Sequence, residues 1–195
     1  MWKNILIGVL GVLLLIVSTG TYSYFMVSMD LNEANEKELT LKIHIHKVSS
    51  SILAMVLFMK HRNMVEDPLI QHLWQEAERI AAVKSSISDS ANVWPELKKD
   101  VSEFTTRFDN DQELNKNDTY IKFRNDMVCL STNLDYVQKE YNVAVAAYNL
   151  RLHVVPFNYV AKISHLREKE FFIFDKKVID GVQSTQKNAP VKMKK

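Results

Sequence analysis

Glycine, proline and cysteine are scarce in this chain of 195 residues, which has four, four and one of them, respectively. So few turn-forming residues argue against a sheet-rich fold and suit long helices with short connections. The single cysteine, Cys129, excludes an intramolecular disulfide, so only pairing with another chain stays open. No base stands near Cys129 in the sequence to activate it as a nucleophile, and we interpret it as a helix-surface or partly buried thiol.

Excess charge of either sign is also missing. The formal net charge is +2, and the basic residues are mixed with acidic ones instead of forming a stripe. A nucleic-acid-binding surface needs clustered Lys and Arg to neutralise phosphates. The composition therefore predicts no nucleic-acid partner.

Residue patterns typical of metal-binding or catalytic sites are absent too. His44 and His46 are two apart, and on a helix such a pair points to nearly opposite sides, so it does not form a metal site. The acidic pairs at residues 66–67 and 109–111 lie at predicted helix ends, where carboxylates cap N–H groups and complement the helix dipole. We therefore expect no catalytic residue, no metal ligand and no cofactor.

One long uncharged run is present at the N-terminus. Residues 4–29 carry no charge, and a helix of ~20 residues crosses the ~30 Å hydrocarbon layer of a membrane. Trp2 at one end and Tyr22, Tyr24 and Phe25 near the other match interfacial aromatic belts. The sequence predicts a membrane anchor over residues 1–29. The alternative is a signal peptide cleaved near Ser18-Thr19-Gly20, but the uncharged run continues well past that point.

The orientation of the anchor follows from weaker signals. Lys and Arg nearly balance on the two sides of the run, but the N-terminal tail is short and holds a single lysine, Lys3. This arrangement favours a cytoplasmic N-terminus, with the rest of the chain outside the cytoplasm.

A second feature is an apolar seam with helical spacing in the C-terminal half. Its members are three or four residues apart: Tyr120, Phe123, Met127, Leu130, Leu134, Val137, Tyr141, Val145, Tyr148, Leu152 and Val155. Asp118 can cap the helix start and Pro156 ends it. A helix of roughly 37 residues, about 55 Å long, requires partners along its length. The predicted fold is all-α: a transmembrane helix followed by an elongated antiparallel bundle of about four long helices.

The remaining helices are predicted from similar spacing. The anchor helix continues to about His61; a second helix starts at Asp67-Pro68 and runs to Ile87; a third starts at Trp94-Pro95 and runs to Phe108. A last helix covers residues 157–174, with Val160, Ile163 and Leu166 on one side. We predict the domains as anchor 1–29, bundle 30–178 and a basic, disordered tail 179–195.

Paired Tyr and Asn residues mark the end of the seam. Tyr141-Asn142 and Tyr148-Asn149 are seven apart on one helix face, and Pro156 and Asn158 follow. They are the candidate interaction residues. One interpretation is a ligand or partner site built from Tyr and Asn; the other, favoured here, is that the amides hydrogen-bond across helices and fix their register.

These motifs resemble the LemA family. The resemblance is carried by DQELNKNDTY at 111–120, YNVAVAAYN at 141–149, PFNYVA at 156–161 and FF at 171–172. It implies a bacterial membrane anchor followed by an antiparallel helical bundle, and no established enzymatic activity. Some relatives are implicated in organising bacterial membranes, including magnetosome membranes.

The sequence thus favours a non-enzymatic protein with a structural, scaffolding or membrane-organising role. Its expected partners are the membrane and proteins that the sequence does not identify, and self-association into a homo-oligomer stays open. The alternative function is an extracytoplasmic ligand-binding or sensory bundle, with Tyr141, Asn142, Tyr148 and Asn149 lining a cleft between helices.

Overall fold

The computed structural model describes residues 2–62, 64, 66–81 and 87–172, without the side chain of Ser88. These residues form five α-helices and one short 3-10 helix, with no β-strand among them. The helices are α1 (Trp2–His61), α2 (Pro68–Ala81), α3 (Ile87–Phe108), α4 (Asp118–His153) and α5 (Phe157–Ile163), and the 3-10 helix is Leu114–Lys116. The predicted all-α fold, a long apolar N-terminal helix with a helical bundle, is confirmed. The predicted tail at 179–195 lies outside the described residues.

The first helix is continuous from Trp2 to His61, as the sequence predicts. Three hydroxyl groups in the uncharged run are satisfied within the helix. The hydroxyl groups of Ser18, Thr21 and Ser23 donate to carbonyls one turn earlier, at 3.0, 2.9 and 2.7 Å. Such back-bonding lets hydroxyl side chains occur in an apolar helix without an unpaired donor.

The described residues divide into two compact units, which share α1 and α4 along the chain. The first unit contains residues 2–36 and 143–170, and the second contains residues 37–142 and 171–172. In each unit the apolar seam of α4 is buried, as expected, except at Leu130 and at Val155, which lies beyond the helix end and is 64 % exposed.

The second unit contains the packing of α2 against α3 and an aromatic cluster. Phe104 and Phe108 of α3 lie with ring centroids 4.8 Å apart, and Phe104 also contacts Phe123 of α4 edge to face at 5.7 Å. Offset and edge-to-face pairs such as these stabilise a core beyond the area that they bury. Ser49 of α1 is fully buried, and its hydroxyl donates to the carbonyl of Ala77 in α2 at 2.8 Å.

Two predicted helix starts need correction. Pro95 lies inside α3, which begins at Ile87, so the Trp94-Pro95 pair does not open a helix and Ile87 does not belong to α2. At α4 the capping side chain is Asn117 and not Asp118: its Oδ1 accepts from the N–H groups of Thr119 and Tyr120 at 3.0 and 3.3 Å. Asn is as good a cap as Asp, so the two adjacent residues compete for this position.

The predicted caps at Asp67 and Asp111 are confirmed. Asp67 accepts from the N–H of Leu69 at 3.0 Å in the first turn of α2. Asp111 accepts from the N–H groups of Glu113 and Leu114, at 2.8 and 3.0 Å, at the start of the 3-10 helix.

The prediction of a last helix over residues 157–174 is wrong beyond its first two turns. Helix α5 ends at Ile163, which is 79 % exposed and not packed inward. Residues 166–172 have no regular secondary structure. Backbone groups of Arg167, Lys169 and Phe172 bind side chains of α4, which replaces hydrogen bonds that a helix would supply. The last two positions of the predicted helix, 173 and 174, lie outside the described residues.

Candidate functional site

The amide of Asn142 holds the backbone of Phe172 within the second unit. Its Oδ1 accepts from the Phe172 N–H at 2.9 Å, and its Nδ2 donates to the Phe172 carbonyl at 2.7 Å. Gln138, one turn earlier on α4, donates to the same carbonyl at 3.2 Å. The ring of Phe172 is fully buried. Asn142 thus pairs with a peptide as a neighbouring β-strand would, and Gln138 is a contributor that the sequence reasoning missed.

Asn149 makes the same arrangement within the first unit. Its Oδ1 accepts from the Lys169 N–H at 2.9 Å, and its Nδ2 donates to the Lys169 carbonyl at 2.9 Å. The hydroxyl of Tyr148 donates to the carbonyl of Arg167 at 3.0 Å. Burial raises the pKa of the Tyr148 phenol, which therefore stays a neutral donor at physiological pH.

Asn142, Tyr148 and Asn149 therefore bind a segment of the chain itself, residues 166–172. Each Asn amide has one donor and one acceptor engaged with a single backbone position, a geometry that an amide shares with the peptide group. The favoured sequence interpretation had these amides linking helices, but their partners belong to a segment without helical structure. The amides do fix the position of another part of the chain, but that part is not a helix.

The other candidate residues lie in α4 and at the start of α5. Tyr141 is buried on the α4 seam. Pro156 follows a cis peptide bond from Val155 and occupies the N-cap position of α5. The side-chain oxygen of Asn158 is buried and has no hydrogen-bond partner among the described residues.

An apolar groove lies between α1 and α5 in the first unit. It has a volume of about 470 Å³. The α1 side of the groove is formed by Val12, Leu15, Ile16, Thr19, Gly20 and Ser23, and the other side by Pro156, Tyr159, Val160 and Ile163. None of the four Tyr and Asn residues of the predicted ligand cleft lines this groove.

An ion pair in the first unit joins α1 to α4. Arg151 donates through Nε and Nη2 to the two carboxylate oxygens of Asp30, and the guanidinium carbon lies 5.1 Å from the centre of the Phe157 ring. Both charged side chains are largely buried. The bidentate contact and the aromatic neighbour make the pair specific for arginine. Sequence spacing gave no signal for it, because the two residues are far apart in the chain.

The phenol of Tyr120 in the second unit has a strongly raised pKa. Burial is the largest cause that raises its pKa well above the usual range, followed by the hydrogen bond to Asp109 at 3.0 Å and the charge of that carboxylate. Arg124 opposes this shift and contacts Asp109 at 3.3 Å. The phenol donates a hydrogen bond to the carboxylate, and the guanidinium forms an ion pair with it, where α3 and α4 meet. We therefore assign these three groups a structural role.

Titratable residues that could bind a metal do not cluster in the part of the chain that the structure describes: no group of three or more His, Cys, Asp or Glu side chains is placed to hold an ion. Cys129 is exposed on α4, as the sequence predicts.

Comparison with known proteins gives one family and no individual relative. No curated protein and no solved structure matches the chain. The family model described as "LemA family" matches residues 40–183, which include the asparagine steps, the α4–α5 connection and the 166–172 segment, but not the uncharged run of α1. On the strength of this match over most of its length, the chain belongs to the LemA family.

Proposed function

We propose that this LemA family protein is a single-pass bacterial membrane protein with a structural, scaffolding or membrane-organising role and no catalytic activity. The observation that carries the proposal is the α1 helix. It has one stretch that is apolar enough and long enough to cross a membrane, with none of that stretch buried against the protein. The same helix then continues without a break into residues that are buried in the second unit, among them Leu41, Ile52 and Met59.

The exposed side chains of the run favour a lipid environment over water. Leu6, Leu14 and Val17 are 69 %, 63 % and 64 % exposed, and their neighbours are similar. Removing one such side chain from water is worth about 1.5–3 kcal/mol. A run of this kind in water would be an aggregation site, whereas in a bilayer it is the stabilising element.

Helix continuity favours a retained anchor over a cleaved signal peptide. The candidate cleavage site at Ser18-Thr19-Gly20 lies inside α1, and Ser23, three residues beyond, is fully buried and bonded to the Thr19 carbonyl. Cleavage would require this segment to unwind. With the anchor retained, the bundle lies on the outer side of the cytoplasmic membrane, which is the orientation that the short N-terminal tail favours.

The non-catalytic role is supported by the use of the family's polar residues. Asn142, Tyr148 and Asn149 are engaged with the backbone of the chain itself. This counts against the alternative of a ligand-binding or sensory cleft built from those side chains, since a ligand would have to displace the 166–172 segment. Partners would instead be proteins, or further copies of the chain, that contact the bundle surface.

Crosslinking in intact membranes tests the scaffolding role. An amine-reactive crosslinker has exposed targets on the bundle, including Lys42 and Lys98. We expect discrete products of higher mass that contain the full chain with a second copy or another membrane protein. As a control, the same reaction is run after the membranes are diluted into detergent, which separates chance neighbours. Recovery of the uncrosslinked chain alone, under conditions that crosslink a known membrane complex, would overturn the scaffolding role.

Labelling of the native cysteine tests on which side of the membrane the bundle lies. Cys129 is exposed and is the only cysteine in the sequence. A membrane-impermeant maleimide should label it in intact spheroplasts, and Cys129→Ala should abolish the signal. Labelling only after permeabilisation would place the bundle in the cytoplasm.

A further inference from the structure

The connection between α4 and α5, together with α5, exposes a cluster of large apolar side chains. Val155, Tyr159 and Ile163 are 64 %, 61 % and 79 % exposed, and Val154 is also exposed. A cluster of this kind on a protein surface marks an interaction site and not a surface that faces water. We refer to residues 154–163 as the α5 corner.

The α5 corner lies against the uncharged run of α1. Tyr159 and Ile163 share a groove with Val12, Ile16 and Gly20 of α1, all within the first unit. The α1 side of this groove extends from Ser23 to Val12, a rise of about 16 Å along the helix. That is about half of the ~30 Å hydrocarbon layer that the same helix is proposed to cross. The corner is therefore level with a part of α1 that lies among lipid chains if α1 spans the membrane.

Charges are arranged around the corner as they are around a membrane segment. Asp30 is the first charged residue after the uncharged run, and it pairs with Arg151 shortly before the corner. Residues 154–161 then carry no charge. Lys162 is exposed, and its long side chain can keep its ammonium group at the membrane surface while its stem lies in an apolar environment. The ion pair thus marks the end of the uncharged run on α1, and on α4 it lies two residues before the helix ends at His153, which contacts Glu168.

We propose that the α5 corner inserts into the lipid bilayer beside the α1 anchor, with phospholipid acyl chains covering Val155, Tyr159 and Ile163 and filling the groove. This inference rests on the proposed membrane anchoring of α1. The occupant is lipid because the groove is continuous with the lipid-facing surface of the anchor and its lining is almost entirely apolar. The protein would then hold the membrane at two points, a spanning helix and a shallow helical corner.

Fluorescence in lipid vesicles tests the insertion. In a Cys129→Ala background, single cysteines are introduced as Tyr159→Cys, Ile163→Cys, Tyr136→Cys and Leu14→Cys and labelled with an environment-sensitive dye. The full chain is reconstituted in phosphatidylcholine–phosphatidylglycerol vesicles with or without brominated acyl chains. Tyr136 of α4 is the matched control, because it is the same residue type and is 62 % exposed against 61 % for Tyr159. Leu14 reports on the anchor itself.

The proposal expects blue-shifted emission and at least a two-fold loss of intensity with brominated lipid at positions 159, 163 and 14, and no change at 136. If position 14 is quenched but 159 and 163 behave like 136, the anchor stands and the insertion is wrong. If 159 and 163 are shielded from both brominated lipid and aqueous iodide, protein covers the corner, as in self-association, and the proposal is also wrong. If position 14 is not quenched, the anchoring fails and the insertion fails with it. Circular dichroism of each labelled variant establishes that the helices are intact.

Discussion

The side-chain amide of Asn142 hydrogen-bonds to both the backbone N–H and the backbone carbonyl of Phe172, as a paired peptide group would. The two hydrogen bonds measure 2.9 and 2.7 Å, and both residues are buried. Because water is excluded from these bonds, it does not compete for their donors and acceptors. The bonds therefore fix the segment at one position on α4. The same chemistry recurs between Asn149 and Lys169, where the site is less buried.

Replacing Asn142 should destabilise the protein by removing two buried hydrogen bonds. In Asn142→Ala the bonds to the N–H and the carbonyl of Phe172 are lost, while the Gln138 bond to that carbonyl remains. Each hydrogen bond contributes about 0.5–1.5 kcal/mol, and we expect a loss of about 1–3 kcal/mol in the free energy of unfolding. Urea denaturation of the full chain in detergent micelles, followed by circular dichroism, measures it.

The matched control is Asn125→Ala, which truncates the same residue type at an exposed position of α4. A change within about 0.5 kcal/mol is expected there. Equal effects at positions 125 and 142 would mean that the contact with Phe172 contributes no stability.

The Asp30–Arg151 pair should show a measurable coupling energy. Arg151 donates through two nitrogen atoms, and lysine can reproduce only a point charge. A double-mutant cycle with Asp30→Asn and Arg151→Met, which removes the cation, should give a coupling of about 0.5–3 kcal/mol in the free energy of unfolding. A coupling indistinguishable from zero would show that the pair contributes no stability. Lys139→Ala, at an exposed position of α4, serves as the control for loss of a cation from this helix.

Tyr120 should make the protein sensitive to alkaline pH. Its folded-state pKa is raised, chiefly by burial and then by the Asp109 hydrogen bond, so above about pH 10 the unfolded chain loses a proton that the folded chain keeps. The unfolded state is then favoured, and the stability falls as pH rises, by up to about 1.4 kcal/mol per pH unit for this group.

The variant Tyr120→Phe should be less stable at neutral pH, because the buried hydrogen bond to Asp109 is lost, but its stability should fall less steeply above pH 10. Parallel pH profiles for wild type and Tyr120→Phe would contradict the assignment. Urea midpoints measured across the alkaline range supply the data.

Apolar spacing and cap chemistry predicted much of the fold from the sequence. The length of α1, the start of α2 at Pro68 and the burial of the α4 seam follow from local patterns. Pro95 misled because proline is common at the first position of a helix, whereas α3 accepts the proline in its interior. Tertiary packing can override the local cost of a lost hydrogen bond.

The partners of the candidate site could not be predicted from the same patterns. The spacing of Val160, Ile163 and Leu166 indicated a helix, yet the backbone after α5 is held by side chains of Asn149 and Asn142, 20 and 30 residues away in the chain. Helical spacing reports which face of a segment is apolar, but not whether another element supplies its backbone hydrogen bonds. An asparagine on a helix likewise does not reveal whether its partner is a side chain, a ligand or a peptide group.

Alkaline carbonate extraction of membranes that contain the full chain tests whether the uncharged run of α1 spans a bilayer. The wild type should stay in the membrane pellet. The double variant Leu13→Arg/Leu14→Arg should be released or fail to insert, since each arginine at the centre of a spanning helix costs about 2.5–3.5 kcal/mol. Leu57→Arg, at an exposed position of the same helix outside the run, should behave as wild type. Extraction of the wild-type chain into the supernatant would contradict the claim.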